Sequence, residues 1–332
     1  MPSSTFLLLV LLSFATNISA FPFVALVPVS GLLAAFLARD GIECLLRECC
    51  SQGVWFNQTG LKHVLTHHLH GQHIATERVF HHLSAHMLDR NPPKALALSF
   101  HGYTGVGKNF VSNLIASHVF KRGTKSRFFH FYDSTIHFAH RQKVHEYKVR
   151  LHKELREAVS ACPYSVFVFD EMHNMPSGLL DVLAPLLDFH ESIDGVDFRR
   201  SIFLFLSNAG GNSINRRLYD HLKDGKKRED LLYTDMDRII TKSAFNDDGG
   251  LRYSELIQKH LITAMVPFLP LQTEHVRLCI RDVTVQRQVP LTDNLVNFVL
   301  DELEWSPENT QLFSVSGCKR VYEKVAFYLQ QT

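Results

Sequence analysis

The sequence predicts an α/β fold: a parallel sheet covered by helices on both faces, followed by a small helical C-terminal domain. Three observations carry that expectation. Short apolar runs alternate with amphipathic segments between Ala95 and Ser207. A glycine-rich turn joins the first run to the segment after it. From Leu271 onward the hydrophobic pattern is helical.

The elements follow in order. Residues 1–20 hold an apolar run, Phe6 to Phe14, and then mostly small residues up to Ala20. That is the shape of a signal peptide, although it lacks a positively charged start. Residues 21–40 are apolar but broken by Pro22, Pro28 and Gly31, which suits a membrane-associating segment better than a regular span. The two stretches together also read as a single uncleaved anchor. On either reading the remainder is expected in the secretory lumen. Residues 41–270 are expected to form the large α/β domain and 271–332 the small helical one. Thr59 to Leu88 has helical spacing and stops at Asn91-Pro92-Pro93. Strands are expected at Ala95–Phe100, Phe128–Tyr132, Ser165–Asp170 and Ser201–Ser207. Helices are expected over Asn109–Phe120, Arg141–Ser160, Leu179–Phe189, Thr273–Gln286, Thr292–Glu304 and Gly317–Leu329.

Composition narrows the function. A formal net charge of +2 gives no basic field, so nucleic acid is not expected as a partner. His63/His67 and His137/His140 have helical spacing, but the carboxylates that would complete a metal site are absent nearby. Six cysteines suit an oxidising compartment, and their spacing does not choose a pairing. Asn57-Gln58-Thr59 is a glycosylation sequon.

The chemistry lies in an ordered set. Gly102, Tyr103, Thr104, Gly105, Val106, Gly107, Lys108 and Asn109 form a P-loop between a predicted strand and a predicted helix. The glycines let backbone N–H groups cradle phosphate oxygens, and the helix N-terminus adds favourable positive potential. Lys108 is placed to reach the β- and γ-phosphates of ATP. Asn109 stands where Ser or Thr usually helps to hold Mg²⁺, and an amide oxygen is also a competent ligand. Asp170 and Glu171 end an apolar strand as a Walker B pair, with Asp170 near Mg²⁺ and Glu171 polarising the attacking water. Asn208 ends the next strand, where it would position that water. No NKxD motif supports a GTPase.

These motifs resemble those of the torsins, AAA+ ATPases of the endoplasmic reticulum lumen and perinuclear space. The resemblance rests on Asn109 after the P-loop lysine, Phe167 to Met172, Phe203 to Gly210, Val266 to Leu271, and Gly317-Cys318-Lys319. It implies an AAA+ large domain, ATP and Mg²⁺ as cofactors, an adenine contact from Gly71-Gln72-His73, and Lys319 as the sensor 2 residue. It also implies two cysteine pairs, Cys279–Cys318 as a nucleotide-coupled redox switch and Cys44–Cys162, with Cys49 and Cys50 unassigned. His173 and Asn174 depart from the charged pair that torsins often carry there.

One absence completes the reading. An AAA+ site is normally finished by an arginine from the neighbouring subunit, placed just before the last strand of the large domain. Leu261 to Pro270 contains none, and Arg216, Arg217, Arg252 and Arg277 lie outside the expected place. By the resemblance, the arginine comes from lumenal activator domains of lamina-associated-polypeptide-type membrane proteins. The expected function is an activator-dependent ATPase that remodels partner proteins, working as a homo- or hetero-oligomer at a membrane. The alternative is a nucleotide-dependent scaffold with negligible hydrolysis.

Overall fold

The computed structural model describes residues 48–50, 53–246, 251 and 254–331. The expected signal peptide, the apolar segment 21–40, Cys44 and Arg252 lie outside the described residues. Among the described residues no helix is long and apolar enough to cross a membrane.

Five parallel strands form the central sheet: β1 (Leu96–His101), β2 (Phe129–Asp133), β3 (Val166–Asp170), β4 (Ile202–Ser207) and β5 (Ala264–Pro267), in the order β2-β3-β4-β1-β5. All residues of β1, β3 and β4 are buried. A parallel strand covered on both faces has no solvent side, which is why these read as continuous apolar runs. The two faces still differ. Phe167, Phe169, Phe203 and Phe205 point into one core, and Val166, Val168, Ile202, Leu204 and Leu206 into the other. On the aromatic face Tyr132, Phe169 and Phe205 stack across three strands, with centroids 5.1 and 5.6 Å apart.

Helices cover each face through spaced apolar residues. The second face takes α1 (Gln58–His68), α2 (His73–Leu88) and α3 (Lys108–Val119). The aromatic face takes α4 (Val144–Ala161), α5 (Gly211–Lys223) and α6 (Tyr233–Asn246). The stretch read as one segment from Thr59 to Leu88 is two helices, split where Gly71 takes φ +69°. The helix expected over Leu179–Phe189 is instead a 3₁₀ segment, Leu179–Leu183, and one α-turn, Ala184–Leu187. Pro185 sits at the start of that turn, where a missing N–H costs nothing.

A third core lies beyond the linker at Phe268–Gln272. It joins α7 (Thr273–Arg287), α8 (Asp293–Asp301) and α9 (Val321–Gln331) through Val276, Ile280, Leu295, Val299, Val321 and Val325. The region is not helical throughout: Trp305–Ser306 pairs with Phe313–Ser314 as a short antiparallel ladder. The last helix starts at Val321, because Gly317 turns with φ +53°. Asn57 caps α1, its side-chain oxygen accepting from the Gly60 N–H at 2.9 Å.

Cys162, fully buried at the end of α4, bonds to Cys49 and not to Cys44. The bond fastens the short Cys49–Cys50 ladder to the second core. Cys50 is also disulfide-bonded.

Candidate nucleotide site

The carboxyl ends of β1, β3 and β4 lie side by side, and β1 sits where the strand order reverses. Open parallel sheets bind ligands at such a crevice. β1 delivers the loop from Gly102 to Lys108, β3 delivers Asp170 and Glu171, and β4 delivers Asn208. A cleft of about 530 Å³ opens above them, lined by Thr104 to Phe110, Asp170, Glu171 and Asn208 from the large lobe. The small lobe contributes Cys279, Asp282, Cys318, Lys319 and Tyr322.

The loop is shaped for backbone contact. Gly102, Gly105 and Gly107 have φ of +152°, +75° and +111°, a region that penalises any side chain. A Cβ on Gly105 would lie 1.8 Å from the Ser316 carbonyl oxygen, so the small lobe's turn packs directly on the P-loop. The Cys318 N–H donates to the Gly105 carbonyl at 3.0 Å.

Lys108 is buried and donates to the carbonyls of Gly102 and Tyr103 at 2.5 and 2.7 Å and to Asn208 Oδ1 at 2.9 Å. Burial pushes its ammonium down to about 8, against the pull of Asp170 and Glu171. Asn109 Nδ2 donates to Asp170 Oδ2 at 2.6 Å, and the Glu171 N–H donates to Asp170 Oδ1 at 2.8 Å. A buried ammonium held by neutral oxygens, beside a helix N-terminus, suits a polyphosphate. The all-oxygen donors of Asn109 and Asp170 suit Mg²⁺. These residues would hold the nucleotide and its metal, and the metal would neutralise charge on the phosphates.

His101, the last residue of β1, is fully buried. Its Nδ1 lies 3.1 Å from the Ala209 carbonyl and its Nε2 2.7 Å from Ser99 Oγ. A carbonyl only accepts, so Nδ1 carries the proton and Nε2 accepts from the serine. Burial pushes this imidazole down to about 4.

Gln72 and His73 do not line the cleft. Gln72 is buried and fully engaged, donating to the Val106 and Leu269 carbonyls at 3.0 and 2.7 Å and accepting from the Leu269 N–H at 2.7 Å. His73 Nε2 faces the Leu231 carbonyl at 2.9 Å. Their place in the lining is taken by His68, Leu69 and His70. Gln72 thus ties the P-loop to the inter-lobe linker. Arg228 is buried beside it, donating to the Gly71 and Pro270 carbonyls at 2.6 and 2.8 Å, and burial lowers it to about 10.

Sequence reasoning missed Arg228, the His70–Asp282 contact at 2.7 Å and the His173–Glu171 contact at 3.0 Å. Arg228 and His70 carry no sequence signal, because folding alone brings them to the junction between the lobes. Asp282 carries a faint one, falling on the same face of α7 as Cys279 three residues earlier. Cys279 and Cys318 are bonded, as the resemblance implied, and form part of the cleft wall.

Comparison with known proteins decides the family. The torsin family model matches residues 44–169, and the model of the torsin-1A C-terminal domain matches residues 271–328. A torsin-like protein of Caenorhabditis elegans is 42% identical over 290 residues, 86% of this chain and 82% of the relative. The chain belongs to the torsin family. Solved structures of Hsp104 share the fold at 15% identity. The S. cerevisiae Hsp104–ADP complex matches 82% of this torsin with a TM-score of 0.56, and a closed Hsp104 with ATPγS and FITC-casein matches with 0.52. This torsin spans 46% of each of those chains. The fold is therefore AAA+, and the family is one of AAA+ ATPases.

Proposed function

We propose that this torsin is a lumenal ATPase that hydrolyses Mg²⁺-ATP only when a partner completes its site, and uses the cycle to remodel partner proteins at a membrane. The observation that carries the reading is the convergence of Lys108, Asn109, Asp170, Glu171 and Asn208 at one end of the sheet, with no arginine from Leu261 to Pro270. Lys108 and the P-loop N–H groups bind and orient the phosphates. Glu171 takes a proton from the attacking water, which Asn208 orients, and Lys319 faces the same cleft from the small lobe. Bound Mg²⁺ supplies charge neutralisation.

A missing arginine finger is worth about 10³–10⁵ in rate. The partner that fits is a nucleotide-free, AAA-like lumenal domain of a lamina-associated-polypeptide-type membrane protein, alternating with this chain in a hetero-oligomer. Placement in the endoplasmic reticulum and perinuclear space rests on the apolar N-terminal segments, the disulfides and the sequon. Asn57 suits a glycan because its cap uses the amide oxygen, leaving Nδ2 for the sugar.

The test is single-turnover hydrolysis with and without such an activator domain. The expected result is tight ATP binding with slow turnover alone and acceleration of at least about 10³ with the activator. Vigorous turnover by the isolated chain, unchanged by the activator, would overturn the dependence.

A further inference from the structure

We propose that His173, assisted by Asn174, is the positioning residue that aims Glu171, holding one carboxylate oxygen so that the other faces the water. The inference rests on Glu171 acting as the base. It starts from the backbone. Glu171 has φ +54° and ψ +41°, a left-handed conformation that costs a non-glycine residue free energy. Here it turns the chain sharply out of β3 into the 3₁₀ turn Met172–Asn174, closed by the Asn174 N–H donating to the Glu171 carbonyl at 2.8 Å.

That turn brings two side chains back to the carboxylate. His173 Nε2 lies 3.0 Å from Glu171 Oε2, and Asn174 Nδ2 donates to the same oxygen at 3.3 Å. Both of these contacts are to Oε2, and among the described residues no hydrogen bond or ion pair engages Oε1. A glutamate with a side chain 39% exposed would otherwise sample several rotamers. Held by one oxygen, it keeps the other directed, as a base is oriented by a third group in a catalytic triad.

The neighbourhood links this hold to the nucleotide. Asn208 Nδ2 stands 3.5 Å from His173 Nε2, while Asn208 Oδ1 accepts from Lys108. Two bonded pairs, Lys108 with Asn208 and His173 with Glu171, therefore stand side by side along the ends of β1, β4 and β3. His173 Nδ1 is buried and has no hydrogen-bond partner among the described residues. A carboxylate oxygen only accepts, so the 3.0 Å contact places the proton on Nε2, which donates to Glu171; the amide nitrogens of Asn208 and Asn174 near Nε2 are then neighbours of the ring and not its hydrogen-bond donors.

The experiment compares wild type, His173→Ala, His173→Gln and Glu171→Gln. With the activator domain present, we expect His173→Ala to slow single-turnover hydrolysis about 10-fold with ATP affinity held within about two-fold, the pattern of an interaction made for the reacting state. His173→Gln, whose amide N–H can still donate, is expected to recover most of the rate. Without nucleotide, the ¹⁵N resonance of His173 Nε2, assigned by its loss in His173→Gln, should shift in Glu171→Gln. An unchanged rate in His173→Ala, or a resonance indifferent to Glu171→Gln, overturns the proposal. If Glu171→Gln itself hydrolyses at the wild-type rate, the underlying base assignment fails instead. If His173→Ala fails to fold, the rate of His173→Gln and the resonance decide: a Gln variant as slow as Glu171→Gln, with no shift, overturns the proposal.

Discussion

On the large-lobe side of the cleft the lysine is immobilised: Lys108 is buried and bonded to two backbone carbonyls and to Asn208. On the small-lobe side Lys319 is exposed, and its turn is joined to the P-loop by one backbone hydrogen bond and close packing at Gly105. The first wall rests on β1, β3 and β4, strands buried on both faces. The second rests on a three-helix lobe with its own core, joined to the first through Phe268–Gln272. A preorganised wall binds phosphate without reorganising, and an adjustable wall registers whether the phosphate is there. The contrast assigns affinity to one wall and sensing to the other.

The sharpest way to break that contrast is to remove each lysine. Lys108→Ala deletes a buried, charge-assisted contact to the phosphates and should weaken ATP binding by about 100-fold or more in calorimetry. Lys319→Ala removes an exposed charge and should cost about 3–10-fold. Equal losses would mean that both walls bind alike.

Acid separates the walls next. His101 belongs to the rigid side and stays neutral down to about 4, because burial opposes its charge. An unfolded histidine takes its proton near 6.5. Between those values the unfolded state binds more protons, so stability present above pH 6.5 drains away as the pH falls toward 4. The difference amounts to about 3 kcal/mol at the lower end. Urea unfolding at pH 7.5 and pH 5 should show about 2 kcal/mol of that loss in wild type and less in His101→Gln, whose amide can still donate to Ala209. The same slope in both proteins would remove His101 from the account.

The rigid wall was also the legible one. Strands buried on both faces have to be apolar runs, and a P-loop has to follow one of them, so Lys108, Asp170, Glu171 and Asn208 could be placed from sequence. The adjustable wall was legible only in part. Gly317-Cys318-Lys319 identified itself by resemblance, but the ladder at Trp305–Ser306 and Phe313–Ser314 is too short to produce an alternating pattern. Gln72 and His73 were assigned to adenine, yet folding turns Gln72 into a clasp on the linker, because a buried amide takes the backbone partners that surround it. The pairing of Cys162 with Cys49 was misread for a related reason. Disulfide choice depends on which short ladder reaches the end of α4, a matter of tertiary approach that spacing does not encode.

The Cys279–Cys318 bond offers a finer probe. It ties α7 to the turn that carries Lys319 and touches Gly105, so reduction should loosen the sensing wall and leave the sheet intact. ATP and ADP affinities are expected to change by about 3–10-fold between the oxidised protein and Cys318→Ser, with far-ultraviolet circular dichroism unchanged. Identical affinities for both nucleotides would reduce the bond to a staple.

The smallest effect should come from Asp282, where the lobes meet beside that bond. Its Oδ2 accepts from His70 Nε2 at 2.7 Å and lies 3.4 Å from His68 Nδ1. Burial works against its ionisation, yet the hydrogen bonds and charges of His70 and His68 hold the carboxyl below its ordinary range. A depressed carboxylate stabilises the native state above its unfolded pKa and loses that contribution as the pH falls through the folded one. His68 ends α1 and His70 lies in the turn after it, whereas Asp282 comes from α7, so the contact is an inter-lobe latch on the rim of the cleft. Asp282→Asn keeps the shape and an acceptor for His70 while removing the charge. The latch is partly open to solvent, so its loss should cost under about 1 kcal/mol of stability and change ATP affinity about two-fold. Chemical denaturation and calorimetry at pH 7 measure both. A loss of affinity as large as that of Lys108→Ala would show that the small-lobe wall is fixed as firmly as the P-loop. The division between a binding wall and a sensing wall would then have to be abandoned.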